Sequence, residues 1–132
     1  MAKEYLINEG NQIGYMDASF DTGLNLVQKK LVAGADIEKG QVVYISADMT
    51  VSPTTGASAA VLGVAMMDCK KDAPVAVECE GLFKLTAAGT IAAGARVVSA
   101  AGGKVTAGTE NTIGVALNAA SAGGDVYVKF AL

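Results

Sequence analysis

The residues able to do chemistry in this chain are carboxylates, lysines and two thiols, because it contains no histidine and no tryptophan. Without histidine, the side chain that most often serves as a general base near neutral pH is missing. The carboxylates that remain include Asp17, Asp21, Asp36, Asp48, Asp68, Asp72 and Asp125. Most sit among Gly, Asn, Ser and Thr, where a short acidic side chain is favoured by hydrogen bonds to its own backbone. Cys69 as a nucleophile would need a base beside it, and no such partner is visible. Cys69 and Cys79 alone supply too few ligands for a zinc site. Gly102-Gly103-Lys104 lacks the flanking spacing of a phosphate-binding loop, and no helix is expected after it. In Ala65-Met66-Met67 no lysine separates the methionines, as a biotin-carrier turn would require; Lys70 and Lys71 follow later, in a polar stretch. The expectation is a non-enzyme with no catalytic residues, no metal and no cofactor.

Charge narrows the partners. Ten Lys and Arg against thirteen Asp and Glu leave a formal charge of −3. Phosphate backbones are bound by clustered cations, and here Lys29-Lys30 and Lys70-Lys71 are isolated pairs, so no nucleic-acid partner is expected. The longest apolar run, Ala59 to Met67, is too short to span a bilayer, so no membrane partner is expected either. Met1-Ala2-Lys3-Glu4-Tyr5 carries no apolar leader, and the two cysteines are expected to stay reduced.

The elements behind these residues read as short strands. Residues 1–30 hold many of the large side chains, among them Tyr5, Leu6, Ile7, Ile13, Tyr15, Phe20, Leu24 and Leu26, with turn chemistry at Asn8–Asn11 and Asp21–Gly23. No helical period persists in them, and they read as an extended N-terminal arm. From about residue 31, short β-branched runs alternate with Gly, Ala, Ser, Thr and Asp.

Those runs recur. Ile37, Gly40, Val43 and Val51 reappear 54 positions later as Ile91, Gly94, Val97 and Val105. Gly63-Val64-Ala65, Val75 and Val77 reappear 51 positions later as Gly114-Val115-Ala116, Val126 and Val128. One three-residue length change reconciles the two offsets. The fold expected for residues 31–132 is therefore all-β: a small antiparallel barrel or sandwich of eight or nine strands, built from a duplicated unit (about 37–85 and 91–132). Two such lobes are expected to pack about a pseudo-twofold axis. In Val126-Tyr127-Val128-Lys129 the valines should face one side and Tyr127 and Lys129 the other, with Glu78 likewise opposite Val75 and Val77.

The order of these blocks carries a resemblance. Ile37-Glu38-Lys39-Gly40-Gln41-Val42-Val43, Leu62-Gly63-Val64-Ala65, and the run Ala73 to Leu85 that includes Glu78-Cys79-Glu80-Gly81 resemble a family of small bacteriophage capsid decoration, or head-cementing, proteins. The match continues through Ile91 to Val97, Gly103-Lys104-Val105-Thr106, Ile113 to Leu117 and Val126 to Lys129. The resemblance implies a structural protein of the virion, made in the host bacterial cytoplasm, that sits on and stabilises the outside of an assembled capsid. It also implies a homo-oligomer, a trimer foremost, attached to the major capsid protein through the N-terminal region. Tyr5, Leu6, Ile7, Ile13, Tyr15, Phe20, Leu24 and Leu26 are then the expected partner-binding residues. Alternatively, residues 1–30 complete the protein's own sheet.

Two other classes compete. A β-rich ligand- or carbohydrate-binding module would carry exposed aromatics for stacking, but Tyr15, Tyr44, Phe83 and Tyr127 are scattered. A non-catalytic β domain of a multi-subunit enzyme would share the Ile-x-x-Gly-x-x-Val turn-and-strand pattern.

Overall fold

The computed structural model describes residues 31–132, so the eight apolar residues expected to bind a partner, Tyr5 to Leu26, lie outside the described residues. Residues Val32–Leu132 make up one compact unit. Its strands are β1 (Val32–Ala33), β2 (Val42–Ala47), β3 (Thr50–Pro53), β4 (Val61–Ala65), β5 (Val77–Glu78), β6 (Gly81–Thr86), β7 (Arg96–Ala100), β8 (Lys104–Ala107), β9 (Gly114–Ala116) and β10 (Asp125–Phe130). The strands form where Val, Ile, Leu and Phe cluster, since β-branched and aromatic side chains fit a pleated, half-buried surface. The one helical element among the described residues is a 3-10 turn at Ala101–Gly103, which joins β7 to β8.

The all-β expectation holds, in two sheets. The first has the order β1-β3-β2-β4-β5 and the second β6-β10-β9-β7-β8. Pairings in the first recur in the second. Val43 pairs Gly63 and Val97 pairs Gly114. Ile45 pairs Val51 and Ser99 pairs Val105. Ala65 pairs Val77 and Ala116 pairs Val128. The turns into β2 and β7 also agree: Gly40 (φ 91°) and Gly94 (φ 83°) take a left-handed conformation open to glycine, and their N–H groups donate to Ala65 and Ala116 carbonyls at 2.9 and 2.8 Å.

An isolated bridge adds a contact across each sheet. Val32 meets Pro74, tying β1 to the run entering β5, and Ala87 meets Val105, tying the end of β6 to β8. Not every contact is antiparallel: β1 runs parallel to β3, and Ala87 parallel to Val105. Two chain reversals separate the partners in each case, so the directions agree again.

At Gly63 and Gly114 the backbone of the next strand comes too close for any side chain. A Cβ at Gly63 would overlap the Glu78 carbonyl, and one at Gly114 the Lys129 carbonyl. These glycines set how tightly β4 lies on β5 and β9 on β10.

The main core lies between the sheets. The second sheet contributes Leu85, Val97, Val105, Ala116, Val126, Val128 and Phe130, and the first contributes Val42, Val61 and Val64. Phe83 packs edge-on against Phe130, with ring centroids 6.0 Å apart. Burying a side chain such as Phe130 or Leu85 contributes roughly 1.5–3 kcal/mol. The faces used are not equivalent. Val42 holds the register position of Arg96, and Val64 that of Val115, yet Val42 and Val64 are buried while Arg96 is exposed. The expected pseudo-twofold packing is thereby corrected: the back of the first sheet covers the front of the second, a tandem stack. The reason is side-chain choice, because valine at position 42 can be buried at no polar cost and arginine at position 96 cannot.

Polar joints fix this stack. The Thr54 hydroxyl donates to the Ala100 carbonyl at 2.7 Å, and the Gly103 N–H donates to the Thr54 carbonyl at 3.2 Å. The Ser99 hydroxyl donates to the Gly56 carbonyl at 2.8 Å and accepts from the Ser58 N–H at 3.1 Å. Both Thr54 and Ser99 are 1% exposed, so each buried hydroxyl depends on its protein partner.

Two predictions follow from the packing. Gly114→Ala should destabilise the fold by about 2–4 kcal/mol, read as a lower urea midpoint, because strand β9 must move off β10. Thr54→Val should lower stability by about 1–3 kcal/mol in the same assay. An unchanged midpoint in either variant contradicts the corresponding contact.

Candidate interaction surface

Of the carboxylates singled out by sequence, Asp36 and Asp68 bridge separate loops rather than bond their own turns, and Asp125 lies in β10. Asp68 accepts the Lys39 N–H at 2.7 Å, and Asp36 accepts the Lys71 N–H at 3.0 Å while its other oxygen lies 3.7 Å from Lys70 Nζ. Asp72 sits at φ 72° in the turn before β5. The lysine pair and the carboxylates therefore share one loop cluster around the Ile37–Cys69 bridge. Among the described residues, no group of three or more Cys, Asp and Glu is placed to hold a metal. Asp17 and Asp21 lie outside the described residues. Gly103 of the glycine pair packs over the Gln41 side chain, whose amide donates to the Gly102 carbonyl at 3.1 Å. Met66 and Met67 are exposed just after β4.

Cys69 and Cys79 are free and half-buried. Burial, then the carboxylates of Asp36 and Asp68, pushes the Cys69 thiol up. Burial, then Glu78 and Glu80, does the same for Cys79. Both effects disfavour the thiolate, the reactive form.

A continuous surface is formed by the back of the second sheet. In β10 the residues alternate as expected: Val126, Val128 and Phe130 are buried, and Asp125, Tyr127 and Lys129 are exposed. Pairing extends that exposed side across four strands. Leu82, Lys129, Val115 and Arg96 stand in one cross-strand row. Lys84 and Tyr127 begin the next row. Leu117 extends it, its N–H donating to the Tyr127 carbonyl at 2.7 Å. Leu82, Leu117 and Tyr127 are 66%, 53% and 50% exposed. The surface is thus aliphatic and aromatic, threaded by three cations, with Asp125 at its rim beside Thr86. Sequence alternation already put Tyr127 and Lys129 on one side. That Leu82, Lys84, Arg96 and Leu117 join them depends on β6 and β9 flanking β10, which no local pattern reveals.

The fold and this surface define a small, nearly all-β protein of two sheets, the second with an exposed face of apolar and cationic side chains. The chain matches the family model described as phage cement protein over residues 25–132, and it belongs to that family. It is accordingly a capsid-associated structural protein of a bacteriophage. Among solved structures it is similar in fold to the head fiber gp8.5 N base of bacteriophage phi29, with a TM-score of 0.59 and 16% identity over 77% of this chain and 91% of that one. No curated protein matches the chain. No helix among the described residues is long and apolar enough to cross a membrane.

The thiols give a test of the local environment. Alkylation of Cys69 and Cys79 by iodoacetamide in folded protein should be slow at neutral pH and rise with an inflection above that of a free thiol. Denatured, unreduced protein should titrate two thiols. A rate already at its plateau at neutral pH would contradict the burial and the flanking carboxylates.

Proposed function

We propose that this protein decorates the outside of an assembled phage capsid and stabilises it, as a homotrimer anchored to the major capsid protein through residues 1–30. The observation that carries this reading is membership of the cement family across residues 25–132. The matched region leaves out residues 1–24, which hold Tyr5, Leu6, Ile7, Ile13, Tyr15, Phe20 and Leu24. The head that follows buries its own core, so it does not require a partner to cover it. An apolar segment joined to a compact head is what docking onto a shell by coupled ordering needs. Residues 1–30 are thus the arm and 31–132 the head, and the recurring pairings of the two sheets support one unit duplicated within the chain. Synthesis in the host cytoplasm and residence on the virion follow from this role, and with it a non-enzymatic one.

Trimerisation makes modest arms sufficient. Three arms at a symmetry axis engage together, and the second and third bind at a raised effective concentration. A ligand-binding module would need an exposed aromatic platform, whereas the described aromatic that is strongly exposed is Tyr127 alone, set between lysines.

Deleting residues 2–25 should abolish co-sedimentation with shells of the parent phage while leaving the β-sheet circular dichroism of the head unchanged. Full binding by the truncated protein would remove the arm as anchor. Failure of the intact protein to co-sediment with any such shell would overturn the decoration reading.

A further inference from the structure

We infer that the cationic, apolar back of the second sheet is the contact between copies of this protein, and that it docks against the acidic first half of a neighbouring copy. The inference rests on the homotrimer reading above and names the surface that makes it.

The first observation is geometric. In the first sheet the equivalent face, through Val42 and Val64, is covered by the second sheet. In the second sheet the same register positions, Arg96 and Val115, belong to a face that the tandem stack leaves open, with Leu82, Leu117 and Tyr127 at least half exposed. Tandem stacking always leaves one such face at the end.

The second observation is the charge on each side. Residues 81–132 carry four cations, Lys84, Arg96, Lys104 and Lys129, against Glu110 and Asp125. Three of the four cations stand on this face. Residues 32–80 carry seven acids against Lys39, Lys70 and Lys71, and one of those lysines is already close to Asp36. The carboxylates of Glu38, Asp48 and Glu78 belong to exposed residues of that half. The first half is therefore net acidic and the second net basic, with most of the second half's cations on one face.

The symmetry follows from the charges. Two copies joined face to face by a two-fold axis would bring Lys84, Arg96 and Lys129 against their own counterparts, a like-charge contact. The positive face of one copy must meet a different, negative surface of the next. Such a contact is heterologous, and it closes into a ring when the rotation per copy allows, which is what a trimer needs. Leu82, Leu117 and Tyr127 supply the apolar and aromatic area that charges alone lack, since exposed ion pairs contribute little by themselves.

The test uses the full-length protein in sedimentation velocity, alongside co-sedimentation with shells. The intact protein should run as a trimer that loosens as salt is raised. Lys84→Glu combined with Lys129→Glu should run as a monomer with unchanged circular dichroism, whereas Lys84→Arg with Lys129→Arg should remain trimeric. Leu82→Ser with Leu117→Ser should also weaken the trimer, by removing apolar contact without touching a charge. A trimer unaffected by the charge reversal overturns the inference. So does an intact protein that is monomeric in solution yet still co-sediments, and that result leaves the decoration reading standing. A charge-reversed variant that stays trimeric but loses shell binding assigns the face to the capsid and equally overturns it. Trimers that fall apart on charge reversal, made by a protein that never binds a shell, support the inference and sink the decoration reading.

Discussion

Val42 and Val64 make the outward face of one sheet into the cover of another, and much else in the molecule depends on that contact. A curled sheet with valines on its inner side cannot remain open in water, because each uncovered valine forgoes the free energy of burial. The second sheet lines its inner side with Val97, Val105, Val126, Val128 and Phe130, and it is the first sheet that closes it. The sequence of β2 is therefore doubly constrained. Val43 and Val42 are both fully buried on opposite sides of the strand, whereas its counterpart β7 is buried at Val97 and bears an exposed arginine at 96.

The same contact explains where the buried polar groups sit. Thr54 and Ser99 lie where the segment after β3 crosses the end of β7. Backbone carbonyls at Ala100 and Gly56 would lose their water there, and the two hydroxyls satisfy them. Apolar packing holds the sheets together without fixing their offset, and directional bonds at this crossing do the latter.

The stack also gathers Lys84, Arg96 and Lys129 on the open face of the second sheet, while the lysines of the first half lie among its acids. The loop cluster around Asp36, Asp68 and Asp72 belongs to one half and the row through Lys129 and Arg96 to the other. An acidic total thus conceals a positive face.

The sequence by itself determined the local features. Alternation in β10, the glycine turns at 40 and 94, and the recurrence at offsets of 54 and 51 all express periods and backbone angles set within a few residues. For Gly63 and Gly114 the recurrence marks the positions, and the close approach of the neighbouring carbonyl is what the structure adds. The parallel contacts of Ala33 with Val51 and of Ala87 with Val105 were not legible, since they join chain segments separated by two reversals. Nor was the way the sheets meet. A recurrent pattern fits a two-fold arrangement and a tandem one equally well, and the difference rests on Val42 and Val64 facing a core that Arg96 and Val115 face away from. The exposed face of the second sheet was hidden for the same reason: Leu82, Arg96, Leu117 and Lys129 are far apart in the chain and become neighbours only through strand order. Burial of a face is decided by what packs on it, and that is a property of the assembled tertiary structure.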